Sequence, residues 1–130
     1  MKFYSKDFKL GMLGGGQLGK MFIQEAVNYN VQVCVLDPDK NAPCRLIAHE
    51  FQQGDFKDYQ SVLDFGKDKN VLTIEIEHVN TDALKQLESD GVKVFPQPHI
   101  LELIKDKGLQ KQFYKENNIP TAPFVLVNSK

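Results

Sequence analysis

Two short stretches of this chain combine residue types that suit the binding of a polar small molecule. Gly14, Gly16 and Gly19 form G-x-G-x-x-G, with Gly15 between the first two. The pattern follows an apolar run, Phe8–Leu13, and opens a segment of helical periodicity. Glycines remove side-chain bulk, so a ligand can approach the backbone, and the free N–H groups at a helix start favour an anion. A tight turn without a ligand would use the same glycines. The second stretch, Thr73-Ile74-Glu75-Ile76-Glu77-His78, ends a β-branched run that starts at Val71. Strand alternation places Thr73, Glu75 and Glu77 on one face and Ile74 and Ile76 on the other. Carboxylates at the end of a buried strand are costly unless they meet solvent or a partner. Glycine amides would take an anionic or carbonyl oxygen and a carboxylate would take hydroxyl or amine hydrogens. The pair therefore points to a sugar phosphate or an amine.

Other chemistries find less support. Asp37 ends the second apolar run, where the ribose-binding acid of a dinucleotide site would stand, so a nicotinamide-binding domain is a rival reading. Asp37-Pro38-Asp39 equally reads as a polar turn. There is no Ser/His/Asp set, and His49, His78 and His99 are scattered. Cys34 and Cys44 lack C-x-x-C spacing, and Cys34 lies in an apolar run as a buried thiol would. No catalytic nucleophile and no metal ligand is assigned.

The elements that must carry these residues follow from periodicity. Strands are predicted at 8–13, 31–36, 50–53, 71–76 and 92–95, with Phe124–Val127 as either a last strand or a linker. Helices are predicted at 17–29, 58–67 with Asp58 as N-cap, 81–89, 99–104 and 109–117, with a short one at 44–48. In the first helix Leu18, Met21, Phe22 and Ala26 mark one apolar face, widened by Ile23 and Val27. Alternating strands and helices imply an α/β fold, a doubly wound parallel sheet. In order 3-2-1-4-5 the glycine loop and the Glu75/Glu77 strand end would flank the topological switch point, where ligands bind in such sheets.

Composition narrows the partners. The chain has 130 residues, enough for one core, and 42% of them are hydrophobic. Sixteen basic and 17 acidic residues give a net charge of -1, without the basic excess of a nucleic-acid surface. No apolar run approaches a membrane span, and MKFYSKDFKLGML lacks the apolar core of a secretory leader. A cytoplasmic location is expected.

Taken together, four segments resemble the 5-(carboxyamino)imidazole ribonucleotide synthase family of the ATP-grasp superfamily. Leu13-Gly14-Gly15-Gly16-Gln17-Leu18-Gly19-Lys20-Met21 looks like its opening signature. Thr73-Ile74-Glu75-Ile76-Glu77-His78-Val79 resembles its T-Y-E-F-E-N-V segment. Lys105-Asp106-Lys107 with Lys111 resembles its Q-D-R-x-x-x-K helix, and Asn118–Phe124 its G-I-P-T-A-P-(F/W) exit. The resemblance implies a Rossmann-like pre-ATP-grasp domain over residues 1–124. Residues 125–130 would begin a linker or strand toward an ATP-grasp domain absent from this chain. It implies ATP-dependent carboxylation of 5-aminoimidazole ribonucleotide by bicarbonate through carboxyphosphate. Mg²⁺ would accompany ATP in the whole enzyme, typically a homodimer, and these residues alone would be inactive. By motif, Gly14, Gly15, Gly16, Gln17 and Leu18 would line the ribonucleotide site. Glu77, with Glu75 second, would contact its ribose hydroxyls, and Lys107 would reach ATP in place of the family's arginine. Lysine keeps the charge there and loses the bidentate fork. Other ATP-grasp ligases, a nicotinamide-binding domain and a ligand-free scaffold stay open as alternatives.

Overall fold

Side-chain alternation along the first two strands decides the layering. The computed structural model describes residues 2, 4 and 7–127. In β1 (Leu10–Leu13) Met12 packs on one side of the sheet and Leu13 on the other. After α1 (Gln17–Asn28) comes β2 (Val33–Asp37), where Val33 and Val35 join Met12 while Cys34 and Leu36 join Leu13. Every residue of β2 is buried, as expected for a strand covered on both faces. The remaining elements are β3 (Glu50–Gln53), α2 (Tyr59–Gly66), β4 (Val71–Ile74), α3 (Thr81–Ser89), β5 (Lys93–Phe95), α4 (Pro98–Lys105) and α5 (Lys107–Glu116). All pairings are parallel and the strand order is β3-β2-β1-β4-β5, the doubly wound arrangement that the alternation of elements predicts.

The two faces carry unequal cores. The α1 side holds Met12, Ile23, Ala26, Val33, Val35 and Cys44. The opposite side is larger and gathers Leu36, Phe65, Leu72, Leu84, Leu87 and Val94 with their neighbours from α2, α3 and α4. Among the described residues no helix is long and apolar enough to cross a membrane.

Several elements differ from the sequence expectation. The sheet-facing side of α1 is Gly19, Ile23 and Ala26, whereas Leu18, Met21, Phe22 and Val27 are exposed. Gly19 explains the rotation: a Cβ there would stand 2.8 Å from Met12 Cε and 3.1 Å from Cys44 Sγ, so its bare backbone lets α1 approach the sheet. Residues 44–48 form turns rather than a helix, although Ala48 N–H donates to Cys44 O at 2.9 Å. β4 stops at Ile74, not Ile76. Its neighbours run out: β1 ends at Leu13, opposite Ile74, and β5 pairs only as far as Thr73. The break between α4 and α5 falls at Asp106, whose Oδ1 accepts the Gly108 and Leu109 N–H groups and caps α5. Residues 124–127 form no strand.

Caps fix the segment that follows β4. Asp58 caps α2 as predicted, accepting the Ser61 N–H at 2.7 Å. Asn80 caps α3, accepting the Ala83 N–H at 2.9 Å and donating to Lys57 O at 3.0 Å. Asn80→Ala is expected to cost about 1 kcal/mol by loss of the cap, and Asn80→Asp should recover only part of it, because a carboxylate keeps the cap to Ala83 but cannot donate to Lys57 O. Thermal melts of the two variants check this, and equal midpoints for Asn80→Ala and the parent would contradict it.

Candidate functional site

The glycine loop is fixed where β1 ends. Gly14 N–H donates to Leu36 O at 3.0 Å, and Gly14 itself sits at φ +97, a backbone region that a side chain would strain. The chain then passes Gly15 and enters α1 with Gly16 as N-cap. Gly16 has no side chain to cap the helix, and no acidic residue lies in the first turn. The first-turn N–H groups thus keep their positive dipole end without an internal partner.

β4 delivers Glu75 to this loop. Its N–H donates to Leu13 O at 2.8 Å, extending the β1–β4 ladder by one bond past Ile74. A Cβ on Gly14 would stand 2.7 Å from Glu75 Oε2, and one on Gly16 would stand 2.7 Å from Glu75 Oε1. The carboxylate therefore lies directly against the loop. β1 and β4 are neighbours at the point where the strand order reverses, so loop and carboxylate share the switch point. Beside them a recess of about 210 Å³ is lined by Met12, Leu18, Phe22, Thr73 and Glu75, among others. The exposed Leu18 and Phe22 form one wall of it, one helical turn apart.

The other sequence-derived residues are placed differently. Glu77 lies beyond the bend that ends β4, exposed, with its Oε1 3.9 Å from His78 Nδ1. Alternation would have put it on the face of Glu75, but that period holds only while the chain stays in the sheet. Gln17 is exposed at the first position of α1. Lys107 is exposed at the start of α5, its Nζ 3.4 Å from Gln110 Oε1, and shares no hydrogen bond with the glycine loop or Glu75. Asp37 is buried. Its Oδ2 accepts the Gly15 N–H at 2.7 Å and its Oδ1 accepts the Asp39 N–H at 2.8 Å. Each oxygen thus accepts one backbone N–H group.

Two residues near the loop carried no site assignment from sequence. Cys44 lies beneath it, donating its N–H to Gly15 O at 3.0 Å and its thiol to Gly16 O at 3.5 Å. Ile76 Cγ2 would stand 3.1 Å from a Cβ on Gly14. The signal for Cys44 was faint: a small residue after an Asn-Ala-Pro turn. Burial pushes both thiols up to about 11, and in Cys44 the negative charges of Glu75 and Asp37 add to it. Both cysteines are free and buried, so neither is a poised nucleophile. Among the described residues no group of three or more His, Cys, Asp or Glu side chains could hold a metal.

Comparison with known proteins identifies the family. Residues 8–105 match the family model of the ribonucleotide synthetase pre-ATP-grasp domain. The chain is 39% identical over 123 residues to phosphoribosylaminoimidazole carboxylase of Ogataea methanolica, covering 92% of this chain and 23% of that protein. It is 36% identical over 121 residues to N5-carboxyaminoimidazole ribonucleotide synthase of Staphylococcus epidermidis, covering 92% of this chain and 32% of the relative. Among solved structures, the N5-carboxyaminoimidazole ribonucleotide synthetase of Thermotoga maritima superposes with a TM-score of 0.86 at 40% identity, over 94% of this chain and 34% of that one. The N5-carboxyaminoimidazole synthase of Aspergillus clavatus, in complex with ADP and 5-aminoimidazole ribonucleotide, superposes with a TM-score of 0.80 at 39% identity, over 89% and 31%. The chain thus spans about a quarter to a third of the relatives it matches. With the doubly wound sheet, the glycine loop and the acidic strand end all in place, this chain belongs to the ribonucleotide synthetase pre-ATP-grasp domain family.

Proposed function

We propose that this chain is the N-terminal, substrate-binding part of an ATP-dependent ligase that carboxylates 5-aminoimidazole ribonucleotide with bicarbonate in purine biosynthesis. The observation that carries the reading is the contact of the Glu75 carboxylate with Gly14 and Gly16 at the switch point. It lies in a chain 39% identical to a synthase whose structure holds that ribonucleotide. The open amides at the start of α1 would take an anionic oxygen, and Glu75 would accept hydrogens from ribose hydroxyls or the amine. Glu75 is preferred over Glu77 because it touches the loop. Gln17 and Leu18 would border the ligand from the first turn.

ATP would supply the phosphoryl group that activates bicarbonate. Mg²⁺ would accompany ATP in an ATP-grasp domain beyond a first domain of residues 1–124, with 125–130 as the start of a linker or strand leading to it. Lys107 would be the contact from this chain toward ATP, a cytoplasmic location and a homodimer completing the proposal.

Titration of the isotope-labelled chain followed by amide NMR tests the site directly. 5-Aminoimidazole ribonucleotide should shift the Gly16, Gln17, Leu18 and Glu75 resonances to saturation, while NADH at the same concentrations should leave them in place. The reverse pattern would replace this reading with the nicotinamide one, and silence toward both ligands would leave a scaffold.

A further inference from the structure

The segment Asp37–Cys44 grips the glycine loop from the side opposite Glu75. Asp37 is 9% exposed at the end of β2 and joins two backbone segments through one carboxylate. Oδ2 takes the Gly15 N–H at 2.7 Å, and Oδ1 takes the Asp39 N–H at 2.8 Å. The chain then turns through Ala42, whose N–H donates to Asp39 O at 2.9 Å, and comes back beneath the loop. There Cys44 donates its N–H to Gly15 O at 3.0 Å and its thiol to Gly16 O at 3.5 Å. Both polar groups of the Gly15 backbone are therefore held by this one segment. The fit is close: a Cβ on Gly15 would stand 3.1 Å from Val35 Cγ1 and 3.3 Å from both Ala42 Cβ and Asp37 Cβ.

A consequence concerns which amides are left for a ligand. Gly14 N–H is used by Leu36 O and Gly15 N–H by Asp37. The donors without an internal partner are those that open α1, from Gly16 onward. We infer that Asp37 is a positioning residue, and Asp37–Cys44 a clamp, that presets the glycine loop so that the Gly16, Gln17 and Leu18 amides face the ligand. This rests on the proposed reading of the loop as the ribonucleotide site. Asp37 touches no ligand in this scheme; it acts through Gly15.

Charge is part of the design. An ionised carboxylate accepts at both oxygens, whereas an amide offers one acceptor and one donor. In Asp37→Asn, whichever way the amide turns, either the Gly15 or the Asp39 N–H meets another donor. Cys44→Ala removes only the thiol tie and keeps the backbone bond. Gly91→Ala, at the far end of α3 with no atom within 4 Å of the new Cβ, lowers stability without touching the loop.

The test is the dissociation constant of 5-aminoimidazole ribonucleotide, read from amide NMR at a temperature where each variant is folded. From the strength of a charge-assisted hydrogen bond, Asp37→Asn should bind about tenfold more weakly, Cys44→Ala about threefold more weakly, and Gly91→Ala like the parent. A purely structural role for Asp37 would lower the melting midpoint and leave the dissociation constant of the folded protein unchanged. Folded Asp37→Asn and Cys44→Ala that both bind like the parent would overturn the inference and leave the ribonucleotide reading standing. A parent chain that does not bind at all would overturn that reading and the positioning role with it. If Asp37→Asn does not fold, Cys44→Ala decides alone.

Discussion

Gly14→Ala should weaken binding of 5-aminoimidazole ribonucleotide by at least about tenfold, equivalent to about 1.4 kcal/mol, and lower thermal stability as well. Two separable effects act at this position. The backbone at φ +97 strains any side chain, at a cost of about 1–2 kcal/mol for a left-handed residue. The new Cβ would also stand 2.7 Å from Glu75 Oε2 and 3.1 Å from Ile76 Cγ2, so the carboxylate must leave the loop. Gly91 supplies the control. It has nearly the same φ, +95, but nothing within 4 Å of a Cβ. Gly91→Ala should therefore show the backbone cost alone, with binding unchanged. Melting curves and ligand titrations of both variants separate the terms. If Gly14→Ala binds as well as Gly91→Ala, Glu75 has no part in the site.

Leu72→Ala should produce the largest loss of stability, about 2–5 kcal/mol, against a total of about 5–15 kcal/mol for a domain. Leu72 is fully buried in β4, at the centre of the larger core. Its Cδ2 would stand 2.6 Å from a Cβ on Gly11, and its Cδ1 would stand 2.9 Å from a Cβ on Gly66. One side chain thus fills the gaps left by two glycines, one in β1 and one in α2. Those bare backbones cannot supply the missing atoms, so the site collapses poorly and the cavity term stays large. Leu72→Met, which conserves volume, should cost less than about 1.5 kcal/mol. Denaturant unfolding with an unchanged slope measures both. A loss below about 1 kcal/mol for Leu72→Ala would mean that the neighbours relax into the space.

Much of this structure was legible in the chain. The doubly wound parallel class follows from strands separated by helix-length segments, with right-handed crossovers, and the order β3-β2-β1-β4-β5 is one of the arrangements that class allows. The N-cap Asp58 follows from side-chain chemistry that acts within a few residues. The faces of α1 were not legible. Leu18, Met21 and Phe22 are more apolar than Gly19, yet Gly19 packs inward because only a bare backbone fits against Met12 and Cys44. Hydrophobicity ranks residues by transfer free energy, whereas close approach ranks them by size.

The sequence by itself determined the doubly wound class, the glycine loop at the mouth of α1 and the arrival of acidic residues at the end of β4. All three rest on local periodicity and turn chemistry, which need no knowledge of neighbours. Tertiary structure alone decided which carboxylate meets the loop and what Asp37 does. β4 leaves the sheet after Ile74 because β1 and β5 end beside it, so the two-residue period lapses and Glu75 stays on the loop while Glu77 turns to solvent. Asp37 is drawn to Gly15 because β1 and β2 lie side by side, a proximity that spans 22 residues and leaves no periodic trace.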